Sequence, residues 1–134
     1  MDKNITKDFR TADSIGDIMN LLELVFREAR KRISREDNWC KGNAARNIYG
    51  NRVEFDDGFA YSWDAMGAVD REIKEVLPEG LFDSKEGDFF RNVAEHIMTS
   101  HVDDIMQRIT TYNDARATTH KDILKIFDKV IKSL

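Results

Sequence analysis

The sequence has one proline, Pro78, and one cysteine, Cys40. So little proline leaves no room for long turn-rich linkers and shifts the expectation toward helices. A lone thiol excludes an internal disulfide and suits a reducing compartment. Uninterrupted apolar stretches last only a few residues, far short of the roughly 18 that span a bilayer. Met1 to Arg10 is charged and lacks the apolar run of a secretory signal, so a cytoplasmic chain without a membrane role is expected. Charge of one sign is not dominant either: 21 Lys and Arg stand against 25 Asp and Glu, for a net −4. That balance supports neither a nucleic-acid-binding surface nor a nucleic-acid mimic. Phosphate loops, dinucleotide fingerprints, zinc motifs and nucleophile elbows are absent from the sequence.

What is present is a folded composition, 41% apolar and 34% charged in 134 residues, the size of one domain. Residues 1–12 read as a solvated lead-in, with Ile5 and Phe9 as docking points. From Ser14 to Ile33 the residues Ile15, Ile18, Met19, Leu22, Val25, Phe26, Ala29 and Ile33 recur at helical spacing. Asp13 or Ser14 can cap that helix, and Arg30, Lys31 and Arg32 suit its C-terminal end. A second helix is expected over Tyr61–Leu77, with Trp63, Met66, Val69, Ile73 and Val76 inward, stopped by Pro78-Glu79-Gly80. A third begins near Ser84 with Phe89, Phe90, Val93, Ala94, Ile97 and Met98 inward. It breaks or kinks at Ser100, which with Asp103 resembles a capping box opening the stretch of Val102, Ile105, Met106 and Ile109. The last helix starts at Thr118 or Thr119 and runs to Ser133. The expected fold is mainly α: four to five packed helices plus an irregular arm.

That arm covers residues 34–60, where helical periodicity stops and glycine and asparagine become frequent. Gly50-Asn51 can form a two-residue type II′ turn, placing one small hairpin at about 46–55. Six of the 13 aromatic residues fall between Asn38 and Asp64, interleaved with Lys41, Arg46 and Arg52. Rings beside cations can stack and neutralise a ligand; the plainer reading is that large rings anchor an irregular segment. In the hairpin, Arg46 and Arg52 are expected to project freely while Ile48 and Val53 point inward. Gly67-Ala68 inside the second helix costs about 1 kcal/mol against alanine, which implies close approach of another element, the first helix or Trp39. His96 and His101 are five apart and share no helical face, so no metal or other cofactor is expected. Cys40 has no histidine near it in sequence and reads as a small buried thiol. Glu54, Asp56, Asp57 and Asp64 form the carboxylate set that acid–base chemistry would use.

Three signatures follow one another: Trp39-Cys40-Lys41-Gly42, Trp63-Asp64-Ala65-Met66-Gly67-Ala68 and Tyr112-Asn113-Asp114. Their order resembles an uncharacterised family of small bacterial and phage proteins, a domain of unknown function. Its pattern joins a first helix to a Trp-x-x-Gly turn, an aromatic-started helix with Gly-Ala, and a Trp-Asn-Asp turn before a last amphipathic helix. The resemblance covers about Ile18 to Ile131. Here Tyr112 replaces the tryptophan of the third motif, and Asp64 stands where a cysteine often follows the second aromatic. The resemblance implies that the three motifs meet, either as the keystone of the fold or as the wall of a pocket.

No catalytic residue stands out. The leading expectation is a non-enzymatic binding module, a phage or mobile-element accessory protein that takes a small anionic ligand or a partner protein. Its candidate site is Trp39, Lys41, Arg46, Tyr49, Arg52, Trp63, Asn113 and Asp114. A small enzyme using the 54–64 carboxylates and a helical oligomerisation protein are the alternatives, and a homo-oligomer is compatible with all three.

Overall fold

The computed structural model describes residues 15–103 and 107–134. The lead-in, the cap at Asp13 or Ser14, and Ile105 and Met106 lie outside them. Five helices occur among the described residues: α1 (Ile15–Arg32), α2 (Ala65–Val76), α3 (Lys85–Ser100), α4 (Ile109–Asp114) and α5 (His120–Ser133). Three strands, β1 (Ala45–Arg46), β2 (Arg52–Val53) and β3 (Ser62–Trp63), make one small antiparallel sheet in the order β2-β1-β3. The chain is mainly helical, as its periodicity implies.

The helices bury the stripes that their spacing lays out. Leu22, Val25, Phe26 and Ala29 of α1, with Ile33 just past its end, are fully buried. α1 packs on α2 and α5, and α3 packs on α2 and α5, around Phe26, Phe90 and Phe127. Thr119 caps α5 through a capping box in which its side chain accepts from the Asp122 N–H and Asp122 accepts in return.

Four expectations need correction. α2 begins at Ala65 rather than Tyr61, because Ser62 and Trp63 pair with Arg46 and Ala45 as a third strand. Asp64 then caps the helix, accepting from the Gly67 N–H at 2.6 Å. Phe89 is 60% exposed, since the buried line of α3 runs through Phe90, Ala94 and Met98 at i, i+4, i+8 and leaves its neighbour outside. α3 does break at Ser100, but not through a capping box: Ser100 donates to the Ile97 carbonyl at 2.7 Å, and residues 101–103 form no helix for it to cap. The hairpin turn is longer than two residues. The Gly50 N–H bonds the Asn47 carbonyl (2.9 Å), the Asn47 N–H bonds the Asn51 carbonyl (2.8 Å), and Gly50 takes φ +84°. Glycine is required at that left-handed position, but the register becomes Arg46 opposite Arg52.

The helical glycine faces the arm. A Cβ on Gly67 would lie 2.1 Å from the Ala44 carbonyl oxygen, which itself accepts from the Asp64 N–H at 3.1 Å. The approaching element is therefore backbone of the arm, where the first helix or Trp39 was expected. Alanine at an open helix site would gain about 1 kcal/mol over glycine. Gly67→Ala should instead lose several kcal/mol in urea-unfolding measurements, because neither backbone can give way. Parental stability in that variant would mean the arm is not seated on α2.

Candidate functional site

The three motifs meet. Trp39, at the end of a short 3-10 turn (Glu36–Asn38), forms an isolated bridge with Trp63, and the Cys40 N–H donates to the Trp63 carbonyl at 3.0 Å. Asn113 of α4, fully buried, sits at the centre. Its Oδ1 accepts from the Trp39 indole Nε1 (2.7 Å) and from the Ala65 N–H (3.1 Å). Its Nδ2 donates to the Cys40 carbonyl (3.1 Å) and to Asp114 Oδ1 (3.0 Å). An amide side chain has two acceptor and two donor positions, and all of them are used. Asp114 Oδ1 also accepts from the Gly42 N–H at 2.9 Å, and Lys41 Nζ donates to the Ala115 carbonyl at 2.7 Å. Four of the eight candidate residues, Trp39, Lys41, Asn113 and Asp114, thus turn their polar atoms toward one another and the backbone. That is a keystone. Cys40 is buried beside it, its Sγ 3.6 Å from the Asn43 carbonyl, and burial raises its thiol pKa.

The other four candidates diverge. Trp63 is buried, donates to the Phe55 carbonyl at 2.9 Å, and carries the Arg32 guanidinium 4.9 Å above its ring. It lines a cleft of about 470 Å³ where α1, α2 and the arm meet, together with Asn38, Tyr61 and Glu72. Arg32 holds Glu72 there at 2.6 Å. Arg46 does not project freely: its guanidinium donates to the Gly50 carbonyl (2.9 Å) and the Lys41 carbonyl (3.1 Å), tying the turn to the Trp-x-x-Gly segment. Arg52 is exposed on the outer strand of the sheet. Tyr49 is 86% exposed, and Ile48, expected inward, is 67% exposed, because the longer turn places both in the loop.

The exposed tip of the arm includes two residues outside that set, Ile48 and Phe59, the latter 83% exposed. Each tip ring follows a side-chain-stiffened turn. Asn47 Oδ1 accepts from the Tyr49 and Asn51 N–H groups, both at 3.0 Å, and Asp57 Oδ1 accepts from the Phe59 N–H at 2.7 Å. An Asn or Asp two residues before an aromatic, in a segment without helical period, is the sequence signal for such turns. Three of the four 54–64 carboxylates have local tasks: Asp57 holds its turn, Asp56 holds Lys74 at 2.5 Å, and Asp64 caps α2. No group of three or more His, Cys, Asp or Glu able to hold a metal occurs among the described residues. No described helix is long and apolar enough to cross a membrane.

The model of a family of unknown function, DUF6197, matches residues 19–133. The chain belongs to DUF6197. The matched span holds all three motifs and agrees with the resemblance they carry. No curated protein and no solved structure gives a match. Membership in DUF6197 brings no activity with it, so the chemistry of the site rests on this chain's own geometry.

Two carboxyls give that geometry a pH signature. Burial pushes Asp64 up from its ordinary 3.8 to about 7, with the Gly67 N–H opposing and Asp114 assisting. Burial likewise pushes Asp70 to about 7, opposed by Arg91 and assisted by Asp64 and Glu95. Both bind a proton more tightly folded than unfolded, so their stabilising contribution is full below the unfolded value of 3.8 and is lost as pH rises through about 7. The melting temperature should therefore be higher at about pH 5 than at about pH 8. Asp70→Asn should flatten that slope, and a slope of opposite sign would show that these carboxyls are ionised in the fold. At the keystone, Asn113→Ala leaves buried partners unmet and should cost about 3–5 kcal/mol in denaturant unfolding. A loss under about 1 kcal/mol would show the partners re-pair without it.

Proposed function

We propose that this DUF6197 chain is a protein-binding module whose contact surface is the tip of the arm, centred on Ile48, Tyr49 and Phe59 with Arg52 at the rim. One observation carries the reading: three of the four exposed large hydrophobic side chains among the described residues lie on these two loops. The loops share one end of the sheet, because the Tyr61 N–H bonds the Arg46 carbonyl and so brings the 57–61 turn alongside the 47–51 turn. Exposed rings on flexible loops would lose rotamer and backbone freedom on binding. Rings on turns already fixed by Asn47 and Asp57 lose little, and preorganised aromatic side chains are efficient contact groups. Contacts from α2 stiffen the base further, with Arg71 reaching the Phe55 carbonyl at 3.4 Å. A small anionic ligand held by the arginine pair draws less support, since Arg46 already serves two carbonyls.

A photo-crosslinking amino acid at position 49 or 59, expressed in the native host, should trap one defined partner. The same group at exposed Lys121 on α5 should trap none of it. Changing Ile48, Tyr49 and Phe59 together to serine should abolish the adduct while the melting temperature stays at the parental value. Equal adducts from all positions would show that the arm tip is not the contact surface, and adducts only with a second copy would make the module self-associating.

A further inference from the structure

The two edges of the small sheet are treated differently. Beside β3 lies Trp39, bridged to Trp63, with the Cys40 N–H on the Trp63 carbonyl. The other edge is β2, and among the described residues no strand or bridge pairs with its outer side. Backbone alternation shows what that side offers. The Ala44 and Arg46 carbonyls accept from the Asp64 and Tyr61 N–H groups, so residues 44 and 46 face β3. Residues 45 and 47 then face β2, and the Asn47 N–H bonds the Asn51 carbonyl accordingly. In an antiparallel ladder alternate residues turn their N–H and C=O groups to opposite sides. With Ala45 opposite Val53 and Arg46 opposite Arg52, residues 51 and 53 face β1. The N–H and carbonyl of Arg52 therefore face away from the sheet.

The same residue carries an unanswered charge. Arg52 is exposed, stands opposite a second cation, Arg46, and has no acidic partner among the described residues. Like charges directly across a ladder repel, whereas an opposite charge stabilises. A short, charged edge also discourages indiscriminate pairing, so a strand that docks there has to answer the charge. One outward donor and one outward acceptor align a strand but do not hold it. The remaining contact is next to them: β2 follows directly on the 47–51 turn, where Ile48 and Tyr49 are exposed. A chain lying along β2 continues onto those two side chains.

We propose that β2 takes an extended segment of the partner as a fourth strand, one acidic residue of which exchanges backbone hydrogen bonds with Arg52 and faces its guanidinium. Apolar residues of the same segment cover Ile48 and Tyr49. This rests on the arm-tip reading and adds the partner's form, a linear acidic and apolar strand. Main-chain bonds set its direction and register, and the tip side chains supply the apolar contact.

The test pans a displayed library of random linear peptides on the full chain and synthesises the peptides selected. They should carry an acidic residue among apolar ones and lose binding to the chain with Ile48, Tyr49 and Phe59 changed to serine. In the isotope-labelled full chain saturated with such a peptide, the Arg52 N–H should exchange with solvent at least about tenfold more slowly. The Val53 N–H, which faces β1, serves as the internal reference. Arg52→Glu should weaken the peptide at least about tenfold while the melting temperature stays at the parental value. Peptides that need the three tip side chains but leave Arg52 exchange unchanged overturn the strand and leave the arm-tip reading standing. Unchanged affinity for Arg52→Glu overturns the acidic pairing. Peptides that bind the triple-serine chain equally well sink the arm-tip reading and this proposal with it. A library that yields no binder also overturns the proposal, because any linear peptide can supply a strand.

Discussion

One buried amide organises this molecule. Asn113 joins the Trp39–Gly42 turn, the first turn of α2 and its own neighbour Asp114 through four hydrogen bonds. The arm cannot hold itself. Its sheet has three strands of two residues each, far below what an isolated sheet needs to be stable. The conformational entropy of ordering some thirty residues must be offset elsewhere. The offset comes from side chains that clamp backbone: Asn113 on Cys40, Lys41 on Ala115, Asp114 on Gly42, and Arg46 on Gly50. Residues that resemble a ligand-binding set in composition are the ones that fix the arm to the helices.

The helices were legible because burial along them has a single cause. The stripe Leu22, Val25, Phe26, Ala29 on α1 and the stripe Ile123, Ile126, Phe127, Val130 on α5 are both read directly from period. Phe89 shows the limit, since period locates a stripe's centre and not its edge. The start of α2 was obscured because Tyr61-Ser62-Trp63 suits either a first helical turn or an extended pair, and only the open edge of β1 decides. Asp64 before Ala65-Met66 was the cap signal that marks the boundary. The hairpin register was undecidable for a similar reason: Gly50 supplies a positive φ to a short turn and to a longer one alike, and the choice reverses which side chains face out.

The candidate site divides along the same line. That Trp39, Lys41, Asn113 and Asp114 converge could be anticipated from the order of the motifs. Whether their polar atoms would face a guest or one another could not, because that depends on the docking of α4 against a segment some seventy residues earlier in the chain. Ile48 was expected inward and Phe59 went unmarked, because exposure is a property of the folded surface.

The position of Asn113 along the chain also orders events in time. Its amide reaches back 73 residues to Cys40, and Lys41 waits across 74 residues for the Ala115 carbonyl. Synthesis from the N-terminus therefore delivers α1, the arm, α2 and α3 long before the clamp exists. Through that interval the Trp39 indole N–H, the Cys40 carbonyl and the aromatic rings of the arm are open to water and to other chains. The arm is thus sealed only by residues made some seventy positions after it, which leaves it dependent on protection while the polypeptide is still emerging from the ribosome.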